Sequence, residues 1–361
     1  NILDFTLGNP ELEPPAEVVR ELIRLANSST PGLHRYMPNA GFPAVRETIA
    51  NFLSKENKIE FRQNHIIMTV GAGGGINVVL KSLLDPGEEV ILFSPYFVEY
   101  RFYVDNHGGT YKEVDTKADF SLDVESVEKA IGPKTKALII NSPNNPTGAV
   151  YSEDQLKDLG QLLAKKEKAF NRDIYLLSDE PYKKLVYDGI RCPNIFEFYH
   201  NSIVVTSHSK DLALPGERIG YIAVSPEARP CEKLIEAMVF ANRTLGFVNA
   251  PAFMQLLVQN FQELSVDISQ YQEKRDLLYN NLTAMGYSTV KPQGAFYIFP
   301  KSPIEDDVVF VRKAQQKNVL IVPGSGFGRR GYFRIAYCVE KEVIVKALPK
   351  FNALAQEFNL R

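Results

Sequence analysis

Ser207-His208-Ser209-Lys210-Asp211-Leu212-Ala213-Leu214-Pro215-Gly216-Glu217-Arg218-Ile219-Gly220-Tyr221 places one lysine between two hydroxyl residues, directly after the apolar run Ile203-Val204-Val205 and ahead of an arginine. A lysine attacks a carbonyl only while part of its population is uncharged, and that requires a crowded, partly desolvated setting. The end of a buried strand supplies such a setting. An isolated Ser-x-Ser-Lys is more often a solvated loop, since lysines mostly face water. The weight therefore falls on what the rest of the chain places around Lys210.

From Ile66 onward, short apolar runs alternate with helical periodicity, the signature of βα units and a mostly parallel sheet. The expected strands are 66–70, 90–93, 110–114, 137–140, 174–177 and 202–206. Five of them end in distinctive residues: Gly71-Ala72-Gly73-Gly74-Gly75, Ser94-Pro95-Tyr96, Asn141-Ser142-Pro143-Asn144-Asn145-Pro146-Thr147-Gly148, Ser178-Asp179-Glu180-Pro181-Tyr182, and the lysine loop. Open α/β sheets bind ligands beyond the carboxyl ends of their strands, which is where these residues fall. Gly220 to Val224 follows the loop too closely for a parallel crossover and should run back antiparallel.

On either side the pattern differs. An irregular arm, 4–13, leads into a helix opened by Pro14 and Pro15, and a second helix is expected over 43–55. A long helical region is expected over 251–285. The remainder reads as α+β: strands at 294–299, 319–322 and 332–337, and helices at 307–317 and from Glu340. The expected fold is thus α/β, a mostly parallel central sheet with helices on both faces, in a large domain of 14–277. A smaller α+β domain is made of 1–13 and 278–361.

Composition narrows the function. The 361 residues carry 41 Lys and Arg against 43 Asp and Glu, so no clustered positive charge argues for nucleic acid or an anionic membrane surface. No apolar run is long enough to span a bilayer and no signal peptide is visible, so a soluble protein is expected. Cys192, Cys231 and Cys338 are scattered and odd in number, which suits a reducing cytoplasm, and neither they nor the five histidines have metal-ligand spacing.

Each strand-end residue has a chemical reading beside a plainer one. The glycine run offers backbone N–H groups at a helix N-terminus, a cradle for phosphate or merely a tight turn. It lacks the Gly-Lys-Ser/Thr of a nucleotide P-loop. Tyr96 is placed to lay its ring on a planar ligand or to pack in the core. Asn145 offers an amide to a phenolic oxygen, although Asn-Pro-Thr-Gly is also an ordinary turn. Asp179 closes a buried run, where a carboxylate is costly unless a cation such as a protonated pyridine meets it; the plainer reading is a helix cap. Tyr182 follows on the same loop. In Tyr332-Phe333-Arg334-Ile335-Ala336-Tyr337, alternation separates Arg334 from the apolar face and frees it to grip a carboxylate, with Arg329 and Arg330 as competitors.

Together these residues resemble the class I/II aminotransferases, the fold-type I enzymes of pyridoxal phosphate. The resemblance runs from Leu7-Gly8-Asn9-Pro10 through Tyr36-x-x-x-x-Gly41 and Asn145-Pro-Thr-Gly to Ser-x-Ser-Lys-x-x-x-x-x-Gly-x-Arg and Arg334. It implies a PLP-dependent aminotransferase in which Lys210 carries the cofactor as a Schiff base and shuttles the proton, while Asp179 pairs with the pyridinium nitrogen. Asn145 and Tyr182 would bond the 3′-oxygen, and Tyr96 would stack on the ring. The phosphate would be held by Ala72, Gly73, Gly74, Ser207 and Arg218, with Tyr36 arriving from the other subunit of a homodimer. Arg334 and the backbone at Gly8 would take the substrate α-carboxylate, Asn145 lying beside them. One departure is that the phosphate loop lacks the hydroxyl residue many relatives carry.

The partners implied are an L-amino acid and a 2-oxo acid. On the same scaffold the alternatives are a carbon–sulfur β-lyase or an amino-acid decarboxylase; outside it, a non-catalytic α/β binding protein. For the substrate side chain, Arg243 lies roughly where some dicarboxylate-specific relatives place an arginine, whereas Tyr100, Tyr103 and Phe247 would either shape an aromatic pocket or, the plainer reading for each, pack in the core.

Overall fold

The computed structural model describes residues 2–29 and 31–360. The chain opens with β1 (Leu3–Asp4), α1 (Ala16–Ala26) and α2 (Pro43–Asn57), each helix entered through a proline that needs no intrahelical N–H partner. The βα alternation follows: β2 (Ile66–Thr69), α3 (Gly71–Leu83), β3 (Glu89–Ser94), α4 (Tyr100–Asn106), β4 (Thr110–Asp115), α5 (Val124–Ala130), β5 (Thr135–Asn141), α6 (Glu153–Phe170), β6 (Tyr175–Asp179), β7 (Ser202–Ser207) and β8 (Gly220–Val224). These strands form one seven-stranded sheet in the order β2-β8-β7-β6-β5-β3-β4. Only β8 is reversed, pairing antiparallel with both β2 and β7, as its short connection to β7 demands.

Period-2 alternation sends successive side chains to opposite faces. On β5, Leu138 and Ile140 enter the apolar cluster that includes α2 and α6, while Ala137 and Ile139 enter the cluster that includes α3 and α7. Helices therefore cover both faces, and the strands read as continuous apolar runs because each is buried twice. With β2, β3, β5, β6 and β7 all pointing one way, their carboxyl ends share one edge, and Asn141 pairs directly beside Asp179 there.

After the sheet come α7 (Cys231–Thr244), α8 (Ala252–Val258) and α9 (Ile268–Ala284). The single helical region expected over 251–285 is thus two helices. The break is made by Asp267, whose side chain accepts from the Ser269 N–H and caps α9, a local bond that competes with helix continuation. The chain closes with β9 (Tyr297–Ile298), α10 (Asp307–Gln316), β10 (Val319–Leu320), β11 (Val322–Pro323), β12 (Phe333–Ala336) and α11 (Lys341–Glu357). The strand expected over 319–322 is two strands that change partner at Ile321: β10 pairs with β1, whereas β11 pairs with β12.

A further core gathers Leu3 and Phe5 with Leu278, Leu282, Phe296, Phe310, Phe333 and Phe351, tying the N-terminal arm to the C-terminal elements. Tyr271 belongs to it too, so a boundary at 277 would cut α9 through a helix whose buried face serves one core.

Candidate active site

A cavity of 540 Å³ opens at the shared carboxyl edge, closed on its other side by the N-terminal arm, Tyr297, Phe327 and Arg334. Of the residues expected from sequence, it gathers Gly8, Ala72, Gly73, Asn145, Asp179, Tyr182, Ser207, Lys210, Arg218 and Arg334.

Lys210 leaves β7 and sends Nζ 2.6 Å to the carbonyl of Gly8. Burial, opposed by Cys338 and helped by the charges of Arg218 and Arg334, lowers its amine from 10.5 to about 8. That is the condition a nucleophilic lysine requires. Gly8 must be glycine: an added Cβ would fall 1.8 Å from the Tyr297 hydroxyl.

Asp179 ends β6. Its Oδ2 accepts from the Tyr100 hydroxyl at 2.6 Å, while Oδ1 is buried with no partner. Burial raises the carboxyl from 3.8 to about 7, the Tyr100 bond pulls it back, and Glu180 adds to the rise. A helix cap would show the oxygens on backbone N–H groups, and here one oxygen waits for a donor. The loop after β5 is fixed to this point, because Asn141 Nδ2 donates to the Asp179 carbonyl and Asn141 Oδ1 accepts from the Asn145 N–H.

The glycine run is the first turn of α3 rather than a loop before it. Two of its glycines answer to packing: a Cβ on Gly71, at φ +69°, would meet the Arg218 guanidinium at 2.7 Å, and one on Gly75 would meet Val205 at 2.6 Å. Arg218 is thereby held against a helix N-terminus, beside the exposed donors of Ala72 and Gly73 and the paired hydroxyls of Ser207 and Ser209. A guanidinium, helix N-terminal backbone N–H groups and hydroxyls are together a donor set that suits a phosphate without any hydroxyl in the glycine run.

On the opposite wall Arg334 donates through Nη1 to Asn145 Oδ1 at 2.9 Å and through Nη2 to the Thr6 carbonyl, leaving Nε buried and unpartnered. Its guanidinium lies 4.7 Å from the ring centres of Tyr297 and Phe327. Tyr182 shares a 2.9 Å hydrogen bond with the Tyr297 hydroxyl.

Three expected positions, Tyr96, Gly74 and Arg243, do not line the cavity of this chain. Tyr96 does not reach the cavity: its N–H donates to the Phe327 carbonyl and its hydroxyl to Glu113 Oε1 at 2.6 Å, turning the ring toward β4. Its neighbour Phe97 lines the cavity instead. Gly74 lies outside the lining and faces Val70 and Phe247. Tyr36, expected to serve the other subunit's site, is on the surface of this chain, 88% exposed. Arg243 is exposed too, with Nη1 3.4 Å from Asn39 Oδ1, and does not line the cavity of its own chain. Sequence reasoning missed Glu99, which lines the cavity, and the hydrogen bond of Tyr100 to Asp179; the signal, an acid and a tyrosine right after a strand-end Pro-Tyr-Phe, was available.

A buried lysine, a carboxylate with one unpartnered oxygen and two arginines line one cavity at the carboxyl edge of this sheet, the arrangement expected of a pyridoxal-phosphate enzyme of fold type I. The chain belongs to the class I and II aminotransferase family, whose model matches residues 1–351. It is 36% identical to the aspartate/prephenate aminotransferase of Thermus thermophilus over 97% of this chain and 90% of that protein. It is 34% identical to the aromatic-amino-acid aminotransferase 2 of Thermococcus litoralis, over 99% and 93%. An aminotransferase structure from Eubacterium rectale superposes with a TM-score of 0.97 at 40% identity, covering 99% of this chain and 91% of that one. The protein is a PLP-dependent aminotransferase.

Proposed function

We propose that this chain moves the amino group of an L-amino acid to a 2-oxo acid with Lys210 as the proton carrier, Asp179 as the partner of the cofactor ring nitrogen and Arg334 as the grip on the α-carboxylate. The convergence of these three side chains on one cavity carries the reading. Bound there, pyridoxal phosphate supplies the aldehyde that receives the amino group and a ring that withdraws electrons from Cα. Ala72, Gly73, Ser207 and Arg218 would hold its phosphate, Asn145 and Tyr182 its phenolic oxygen, and Phe97 one ring face.

Lys210 Nζ, uncharged in part near neutral pH, takes the proton from the amino-acid Cα and returns it to the opposite end of the transferred group. Burial raises the Asp179 carboxyl and the hydrogen bond from Tyr100 pulls it back towards the ionised form, in which it would pair with a protonated ring nitrogen. Arg334 orients donor and acceptor in turn through the same carboxylate contact, which gives a ping-pong order.

Tyr36 and Phe240 are 88% and 68% exposed, as surfaces that a second copy covers would be, and this supports a homodimer. The free Cys192, Cys231 and Cys338 fit a reducing compartment such as the cytoplasm. Among the described residues no helix is long and apolar enough to cross a membrane. The packing of α9 favours a division into lobes just before Ile268, the N-terminal arm joining the C-terminal lobe.

The test adds single amino acids to the holoenzyme without any 2-oxo acid. Bleaching of the visible absorption with one equivalent of 2-oxo acid is expected. Continuous release of ammonia or carbon dioxide would overturn the reading in favour of a lyase or decarboxylase.

A further inference from the structure

We propose that Tyr103 is a further cofactor-binding residue, its hydroxyl donating to the phosphate of pyridoxal phosphate and so supplying from α4 the hydroxyl that the glycine run lacks. The proposal rests on the reading of this cavity as the cofactor site and deepens it.

Tyr103 lines the cavity together with Ala72, Gly73 and Arg218. Its ring packs against the apolar cluster that includes α3 and α7, and its tip reaches the first turn of α3. A Cβ on Gly73 would fall 3.2 Å from the Tyr103 hydroxyl oxygen and 4.0 Å from the ring carbon that bears it. The hydroxyl therefore stands beside the place where a side chain of the glycine run would begin. Tyr103 is only half-buried, and its hydroxyl, with no hydrogen-bond partner among the described residues, is open to the cavity.

This placement is held by bonds that cross between the two helices. Asn77, one turn beyond Gly73, donates through Nδ2 to the Gly73 carbonyl at 2.9 Å, and its Oδ1 lies 3.1 Å from Nε2 of His107, the residue that closes α4. One amide thus ties the end of α4 to the first turn of α3, and the distance between Tyr103 and Gly73 is fixed before any ligand arrives. A donor held in place beforehand loses little freedom on binding.

The hydroxyl is also in the protonation state that the contact needs. Burial raises it from 10.0 to about 12, Glu99 and Asp179 add to the rise, and Arg218 opposes it. Near neutral pH it keeps its proton and donates, where a phenolate would repel a phosphate. A hydrogen bond from an O–H to a charged phosphate oxygen is among the stronger ones.

Titration of pyridoxal phosphate, and separately of pyridoxal, into the full chain stripped of cofactor tests this, with the visible absorption of the bound group as the readout. The two ligands share the ring and the aldehyde, and only one carries the phosphate. Tyr103→Phe should weaken pyridoxal phosphate by about ten- to a hundredfold and leave the affinity for pyridoxal unchanged. Adding Gly73→Ser to Tyr103→Phe returns a hydroxyl to the glycine run, where loss of the tyrosine oxygen leaves room for it, and should recover much of the lost affinity. An affinity for pyridoxal phosphate that Tyr103→Phe leaves unmoved, or a loss that pyridoxal shares equally, overturns the proposal. Should the phosphate-specific loss appear in a protein that deaminates no amino acid, the Tyr103 assignment stands and the aminotransferase reading falls.

Discussion

The two walls of the cavity are built in unlike ways. One is the carboxyl edge of the sheet, where Asp179, Ser207 and Lys210 project from adjacent parallel strands and Asn145 is anchored to them through Asn141. The other is assembled from the N-terminal arm, the segment before α4, β9 and β12, parts of the chain distant in sequence that meet at Gly8, Tyr297 and Arg334. On the proposed reading the first wall would hold the cofactor and the second, through Arg334, would hold the substrate. Rigid strand ends suit a fixed cofactor, and loops carried by a separate core suit a variable ligand.

The sharpest way to break this division is Lys210→Ala, which should abolish transamination by about 10⁴-fold while pyridoxal phosphate still binds, seen as retained cofactor after gel filtration. Loss of binding together with turnover would mean that the sheet wall holds the cofactor chiefly through this lysine.

Asp179→Asn should lower turnover by about 10³-fold, because the ring nitrogen loses its counter-charge. The same change should stabilise the apoprotein at alkaline pH. Burial raises the Asp179 carboxyl from 3.8 to about 7, so the folded state holds its proton more tightly than the unfolded chain. Its contribution to stability is therefore full below pH 4 and is lost as pH rises through 7. Urea unfolding at pH 8 should show the variant more stable by about 2–4 kcal/mol relative to its difference at pH 4.

On the other wall, Arg334→Ala should cost about 10²-fold in kcat/KM for the amino acid, mostly through KM, and leave the holoenzyme spectrum unchanged. A spectral change of the size caused on the sheet wall would erase the distinction between the two. The smallest effect belongs to Tyr96→Phe. It removes one hydrogen bond to Glu113, costs about 1 kcal/mol in urea unfolding, and should leave turnover as it was.

The sheet wall was legible because a polar residue directly after a buried apolar run is conspicuous, and the closed spacing of Lys210 and Arg218 carried the rest. Arg334 was legible for a related reason: strand alternation sends Phe333 and Ile335 into the core and Arg334 the other way. Alternation stops helping where the chain leaves the sheet. After Ser94 nothing in the sequence says which of Tyr96 and Phe97 turns inward, and the answer came from two bonds, to Phe327 and Glu113, that link segments far apart in the chain. The same limit hid the Tyr100 bond to Asp179, which joins α4 to the end of β6.

By itself, the sequence determined the parallel sheet, the reversal of β8, the chemistry at the strand ends and the family, because each follows from local pattern and spacing along the chain. Only the tertiary structure decided that Arg243 does not line the cavity of its own chain, that Phe97 lines it in place of Tyr96, and that Glu99 lines it too. Those facts depend on which side chains from separate elements meet once the cores have packed, and close packing, unlike periodicity, is a property of the whole chain.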